Sequence, residues 1–401
     1  MKAYERLIEY TKFHTGSYEE NECSPSSEGQ MEFAKYLVNE LKDMGVDNAY
    51  VDEYGYVYAK IPANSEKTAG KTIGFIAHMD TVSDVEYRNV KPRVIENYDG
   101  KDIVLNEEKN IVMQGMPEYA GCSLVVTDGT TILGADDKAG IAEIMTMAEM
   151  LAKGDFAHGD IAICFTPDEE IGRGTDYFNM EAFGADYAYT VDGGLFGEIE
   201  FENFNAINAK VTIKGKNVHP GTAKAGGMKN ANNIAMEFDS LLPKNERPEY
   251  TEGYEGFYHL TDIKSDVEKA EMSYILRDPD NTKIKIKRAM FEKIAEFLNT
   301  KYGRDTVTLE MKDAYANMAE KILPHFHLIE NAERAIEQAG GTPKSELIRG
   351  GTDGVRLSFM GLPCPNLATG SDNHHGRFEF AVCEEMDSCV EVLIKIAEAY
   401  R

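Results

Sequence analysis

This sequence predicts an α/β fold with a smaller α+β domain inserted into it, on three observations. Apolar runs of buried-strand length alternate with stretches of helical spacing through the first half of the chain. Near residue 206 the pattern switches to strands that alternate polar and apolar residues, in the order βαββαβ of a ferredoxin-like unit. The α/β pattern resumes by about residue 325 and closes with a helix near 384–400. Residues 1–205 and 318–401 are therefore expected to form one body, with 206–317 as the insertion. At 401 residues the chain is long enough to bury a core in each.

Residues 29–44, with Phe33, Ala34 and Leu37 at helical spacing, predict a helix that Gly45 stops. Thr72-Ile73-Gly74-Phe75-Ile76-Ala77 is an apolar strand that delivers His78. Residues 86–132 read as hairpins with a turn at Asp128-Gly129. After Asp136-Asp137-Lys138 a helix begins whose Ile141, Ile144, Met145, Ala148 and Leu151 share one buried face. Two further strands, 160–165 and 187–191, run towards Glu169 and Asp192. In the insertion, Ile207, Ala209, Val211 and Ile213 alternate along a strand exposed on one face. A helix at 228–242 ends at Pro243, strands follow at 257–263 and 268–277, and a helix at 281–300 precedes a last strand at 306–311.

Composition narrows the function classes. With 69 acidic against 42 basic residues the net charge is −27, which argues against a phosphate-backbone or anionic-membrane partner, since no basic patch is visible. Met1–Leu7 lacks the apolar run of a signal peptide and no window approaches a membrane span, so a cytoplasmic protein is expected. The six cysteines are scattered without a Cys-x-x-Cys pair and read as buried, reduced thiols.

The chemistry is carried by short words at strand ends and turns: His78-Met79-Asp80, Asp136-Asp137-Lys138, Glu169-Glu170, Asp192-Gly193-Gly194 and His374-His375-Gly376. Imidazoles and carboxylates without a cysteine suit two bridged zinc-like ions, which do hydrolysis rather than redox or structural work. In a strand, residues i and i+2 face one side, so Asp80 can hold the second ring nitrogen of His78 or ligate directly. Asp136-Asp137 lies at a loop-to-helix boundary, where capping is the alternative role. In Glu169-Glu170 one carboxylate can bind metal while its neighbour carries a proton. Spacing does not choose between His374 and His375.

Longer strings carry a resemblance: Ile76–Thr81, Leu133–Gly140, Thr166–Glu170, Thr190–Gly194, Val218–Lys224, Thr251–Tyr258, Arg349–Gly354 and Leu357–Asn366. On them the chain resembles the two-zinc peptidases and deacylases that include carboxypeptidase G and peptidase T, most closely the tripeptide aminopeptidases. The resemblance implies a zinc-peptidase-like catalytic domain with an inserted ferredoxin-like α+β lid domain. It implies two zinc ions per chain, with cobalt or manganese as substitutes. Asp136 would bridge them through a carboxylate followed by a cis peptide; His78 and Asp192 would complete one site, Glu170 and His375 the other. Asp80 would orient His78. Glu169 would be the general base for a zinc-held hydroxide that releases the N-terminal residue of a tripeptide. The match of His219 to the lid histidine implies an oxyanion donor. Arg277 and Arg349 are candidates for the substrate carboxylate, with ion pairs to Asp278 and Asp353 as the alternative. The expected partner is a short peptide, with no nucleic acid and no membrane, and the resemblance allows a homodimer.

The chain departs from the family pattern at Ser371-Asp372-Asn373-His374, where an aromatic and Asn are expected, and at Ala225-Gly226-Gly227, an apparent insertion. Both departures lie near the expected substrate site. His325 and His327 read as surface or packing residues. The rival readings are a same-fold amidohydrolase or dipeptidase acting on N-acyl amino acids or other short peptides, and a metal- or peptide-binding protein without turnover. The intact Glu169-Glu170 pair argues against the last.

Overall fold

A computed structural model describes residues 1–64 and 70–401. It divides into two compact units, one of 1–201, 321–346 and 352–401, the other of 202–320 and 347–351. The segment Leu347–Gly351, which sequence pattern alone groups with the C-terminal part, belongs to the second unit. Its backbone and side chains are tied there: Phe204 N donates to Ile348 O at 3.0 Å, and Arg349 donates to Gly253 O at 2.7 Å.

The first unit is built on an eight-stranded sheet whose parallel centre is Ile161–Thr166, Ile73–His78, Tyr187–Gly193 and Asn366–Ala368. Val57–Ile61 flanks Ile161–Thr166 antiparallel, and Glu198–Asn203 flanks Asn366–Ala368 the same way. Ile161–Thr166 and Ile73–His78 are buried at every residue, as central parallel strands covered on both faces must be. That double burial is why they appear in the sequence as unbroken apolar runs. His78 ends one of these strands, Glu169-Glu170 follow another and Asp192 lies near the end of the third. The carboxyl edge of a parallel sheet, where ligands bind in open α/β folds, therefore collects the polar words.

The helix Ala135–Ala152 packs on Ile73–His78 and Tyr187–Gly193. Its approach is close at Gly140, where an added Cβ would collide with the Val191 carbonyl oxygen and sit 2.5 Å from Asp137 Oδ1. Only glycine lets the helix start come this near the strand that carries Asp192.

Residues 86–132 are less local than a run of hairpins. Ile103–Asn106 and Ile111–Met113 do form one, but Leu124–Val126 lies between Arg93–Ile95 and the distant Phe380–Val382. The Asp128-Gly129 turn is present, with Gly129 at φ +70° and Thr130 N donating to Asp128 Oδ1 at 2.9 Å. Of the cysteines, Cys164, Cys364, Cys383 and Cys389 are buried, Cys122 is half-buried and Cys23 is exposed, which corrects the expectation that all would be buried.

The second unit is an antiparallel sheet in the order Phe257–Ser265, Lys269–Asp278, Asn205–Lys214, Val307–Tyr315. The helices Ala231–Ser240 and Asn281–Tyr302 pack against it, with Phe238, Tyr258, Tyr274, Phe291 and Leu298 in the shared core. This is the ferredoxin-like arrangement that the βαββαβ order predicts.

Candidate active site

The expected metal ligands of the first unit converge on one carboxylate. Asp136 Oδ1 lies 2.9 Å from His78 Nε2, and its Oδ2 lies 3.0 Å from His375 Nε2. One oxygen thus faces each imidazole, the disposition a bridging ligand needs. Asp192 Oδ1 lies 3.4 Å from His78 Nε2, and Glu170 Oε2 lies 3.1 Å from His375 Nε2. The peptide Asp136–Asp137 is cis. His374 stands farther off, with Nδ1 at 3.8 Å from Asp136, while its Nε2 is 2.9 Å from the Ser371 hydroxyl. Of the two adjacent histidines, His375 is the nearer to Asp136.

Asp80 lies beside His78 and also reaches the Glu169-Glu170 backbone. Its carboxylate accepts the backbone N–H of Glu169 at 2.9 Å and of Glu170 at 3.1 Å. His78 Nδ1 is closest to the Asp80 carbonyl oxygen, at 3.0 Å, with the carboxylate at 3.3 Å. A fully buried Asp80 therefore couples His78 to the Glu169-Glu170 pair. Just before that pair, Asp168 sits at φ +58° and accepts from Ser26 Oγ at 2.5 Å and Gln30 Nε2 at 2.8 Å.

Other buried groups hold the remaining segments that carry expected ligands. Asp137 accepts the His78 N–H at 3.1 Å. Asn366 Oδ1 accepts the Asp192 N–H at 3.1 Å, and its Nδ2 donates to Glu200 at 2.6 Å. Glu379 accepts N–H groups from Leu133, Gly134 and Asp136.

The electrostatics are those of a cation site. Burial pushes the Glu170 carboxyl up to about 7, reinforced by the Asp136 charge. Burial also drives Glu169 well above the usual carboxylate range, with the nearby His78 pulling the other way. On Asp136 burial acts upward, but hydrogen bonds from His375 and His78 hold it well below its ordinary value. Glu170 Oε1 is buried with no hydrogen-bond partner. An orphaned carboxylate oxygen among hard and borderline donors fits a divalent ion. The ligand atoms of His78, Asp136 and Glu170 lie within 4.8 Å of one another, and so do those of His78, Asp137 and Asp192.

The three substrate-binding candidates are in the second unit. Arg277 and Arg349 come together: Arg277 Nη1 donates to the Arg349 carbonyl at 2.8 Å, and both guanidiniums lie against Phe257, at 6.0 and 5.6 Å from the ring centre. Neither pairs with Asp278 or Asp353. Asp278 accepts the Asp280 N–H at 3.0 Å and lies 3.7 Å from Lys287, and Asp353 accepts from Thr166 at 2.8 Å. Arg277 Nε and the Tyr315 hydroxyl beside it are buried without partners. Tyr315, which ends a strand, was not legible as a site residue. His219 is exposed and accepts the Gly221 N–H at 3.1 Å through Nδ1. His325 and His327 pack near the Tyr187 ring, at 5.4 and 4.8 Å.

Comparison with known proteins adds kinship to this geometry. Residues 201–305 match the model of the peptidase dimerisation domain of the M20 peptidases. The chain is 53% identical to peptidase T of Halothermothrix orenii, covering 100% of this chain and 99% of that protein. It is 54% identical to peptidase T of Caldanaerobacter subterraneus, covering 100% and 98%. Among solved structures, an aminopeptidase PepT from Bacillus cereus superposes with a TM-score of 0.79 at 24% identity, covering 99% of this chain and 97% of that one. A dinuclear metal-binding peptidase of the M20 family from Bacillus subtilis gives 0.64 at 16% identity, covering 99% and 98%.

Proposed function

The chain belongs to the peptidase T family of the M20 peptidases, and on that premise we propose that it is a tripeptide aminopeptidase whose two metal ions are zinc. The observation that carries the site reading is the Asp136 carboxylate, one oxygen on the side of His78 and the other on the side of His375. Asp136 would be the ligand common to both ions, with His78 and Asp192 holding one and Glu170 and His375 the other. Divalent ions held there would supply polarisation of the scissile carbonyl and a bound water whose pKa is lowered from about 15.7 towards about 7. Glu169 takes a proton from the attacking water and passes it to the leaving amine. Its burial supports that role, because a desolvated carboxylate binds a proton more tightly than an exposed one.

His219 is assigned to the developing oxyanion and the Arg277/Arg349 pair to the free carboxylate of the substrate. Support for the arginines comes from their lack of a carboxylate partner and from the unpartnered Arg277 Nε and Tyr315 hydroxyl. Arg349 also donates to Gly253 O and to Thr251, and Arg277 Nη1 to the Arg349 carbonyl, so the unpartnered Arg277 Nε is the donor that best supports a carboxylate role. No described helix is long and apolar enough to cross a membrane, and we place the activity in the cytoplasm. The dimerisation-domain match supports a homodimer.

Product analysis tests the reading on matched di-, tri- and tetrapeptides and an N-acetylated tripeptide, with apoenzyme reconstituted separately with zinc, cobalt and manganese. Cleavage confined to the unblocked tripeptide is expected. Cleavage that requires the blocked amine would favour an N-acyl amidohydrolase, and binding without any cleavage would favour a non-catalytic protein.

A further inference from the structure

Glu379 is a carboxylate that the chemistry above does not use, yet it is only 2% exposed. Oε2 accepts the N–H groups of Leu133 and Gly134, both at 2.7 Å, and Oε1 accepts that of Asp136 at 3.0 Å. These amides belong to the segment that presents Asp136. On its own side, Glu379 closes the turn that follows His375, its N–H donating to Gly376 O at 3.1 Å. It then runs directly into the strand Phe380–Val382, which is paired to Leu124–Val126. One side chain therefore joins the two chain segments that carry Asp136 and His375, far apart in sequence and 3.0 Å apart at their ligand atoms.

The charge is informative. Burial raises the proton affinity of Glu379, and the hydrogen bonds it receives from the backbone oppose that. A glutamine of the same size has one acceptor oxygen and would turn an N–H donor towards another N–H. Only a carboxylate can take amides on both of its oxygens, and charged acceptors make the stronger bonds.

We propose that Glu379 is a positioning residue that clamps the Asp136 segment to the His375 turn and so sets the span over which the two metal sites are bridged. The proposal rests on the reading of Asp136 and His375 as ligands. The ligands themselves need the correct span, because groups that orient a metal ligand typically change affinity or activity by about 10–100-fold when altered.

The test compares E379Q with wild type, with D136N as the ligand control and E143Q as a buried carboxylate control. Zinc affinity is measured by chelator competition with zinc chloride alone, alongside the melting temperature of the zinc-free proteins and kcat at rising zinc. The expected result is zinc binding weakened about 10–100-fold in E379Q, with kcat partly restored at high zinc, and unchanged affinity in E143Q. A folded E379Q that has lost only thermal stability, with wild-type zinc affinity and kcat, would overturn the proposal while leaving the ligand reading intact. Wild-type affinity in D136N would overturn the ligand reading itself, and the proposal with it. If E379Q does not accumulate as folded protein, E379D, which keeps both acceptors one methylene short, is judged by the same criteria.

Discussion

Substituting Asp80 by Asn isolates what holds Glu169, the proposed proton carrier, in place. The Asp80 carboxylate receives the N–H groups of Glu169 and Glu170 at 2.9 and 3.1 Å and stands 3.3 Å from His78 Nδ1. Hydrogen bonds to a charged group contribute about 1.5–3 kcal/mol each. Asn keeps one acceptor and aims a donor at the second amide, so one such bond is lost from the Glu169-Glu170 backbone. If that loss is felt in the transition state, about 1.5–3 kcal/mol corresponds to roughly a 10–100-fold fall in rate. The assay is kcat and KM on a tripeptide at saturating zinc, after metal content has been measured to show that both sites are filled. The fall should appear in kcat, with KM near wild type, because Asp80 is fully buried. A fully loaded D80N with kcat within about threefold of wild type, less than 1 kcal/mol, would refute the coupling of Asp80 to Glu169.

Glu169→Gln should lower kcat by about 10²–10⁴-fold with both metals retained, as measured by turnover and metal analysis; near-normal turnover would rule it out as the base. Gly140→Ala should cost about 1–3 kcal/mol or more in a denaturation experiment, since its Cβ meets the Val191 carbonyl. Arg277→Ala should raise KM for a tripeptide with little change in kcat, and the effect should vanish with a C-terminally amidated tripeptide. The Glu143 carboxyl is buried, has no partner on either oxygen, and is pushed well above its ordinary value by burial. The native state therefore keeps a proton that the unfolded chain releases above about pH 4.5, the ordinary glutamate range. This contribution to stability is full below that pH and lost as the pH rises through the folded value. Urea denaturation of E143Q should show less decline than wild type as the pH rises from 4 to 8; parallel curves would contradict it.

What the sequence showed and what it hid follow from sequence distance. Ile73–His78 and Ile161–Thr166 are buried on both faces, so their apolar runs and the polar words after them are local signals. The alternation of Ile207, Ala209, Val211 and Ile213 is also local, and it marked the second unit. Leu124–Val126 was misread as part of a hairpin because its partner Phe380–Val382 lies more than half the chain away. Leu347–Gly351 was grouped wrongly for a related reason: the bonds that hold it run to Phe204, Thr251 and Gly253. Glu379, Asn366 and Glu200 stayed invisible because each acts on a backbone amide or a side chain remote in sequence, and neither contact leaves a motif. The choice of His375 over His374 comes from the family resemblance, since adjacent residues share every spacing argument.

The residues that hold these segments have a common logic. The backbone N–H of His78 is held by Asp137, that of Asp136 by Glu379, those of Glu169 and Glu170 by Asp80, and that of Asp192 by Asn366. Main-chain amides beside the proposed ligands are the common point of attachment, and the His78 ring is held as well, through Nδ1 at 3.0 Å from the Asp80 carbonyl. That leaves the ligand oxygens facing one another, as the orphaned Glu170 Oε1 and the upward push on Glu170 and Asp192 record. Carboxylates crowded in this way repel and take up protons until a cation relieves them. A cation that binds only this folded arrangement must in turn stabilise it, by RT ln(1 + [L]/Kd). Rigid amide anchors and unsatisfied ligand oxygens are thus two sides of one arrangement, in which the backbone bears the cost of holding like charges together before the ions arrive.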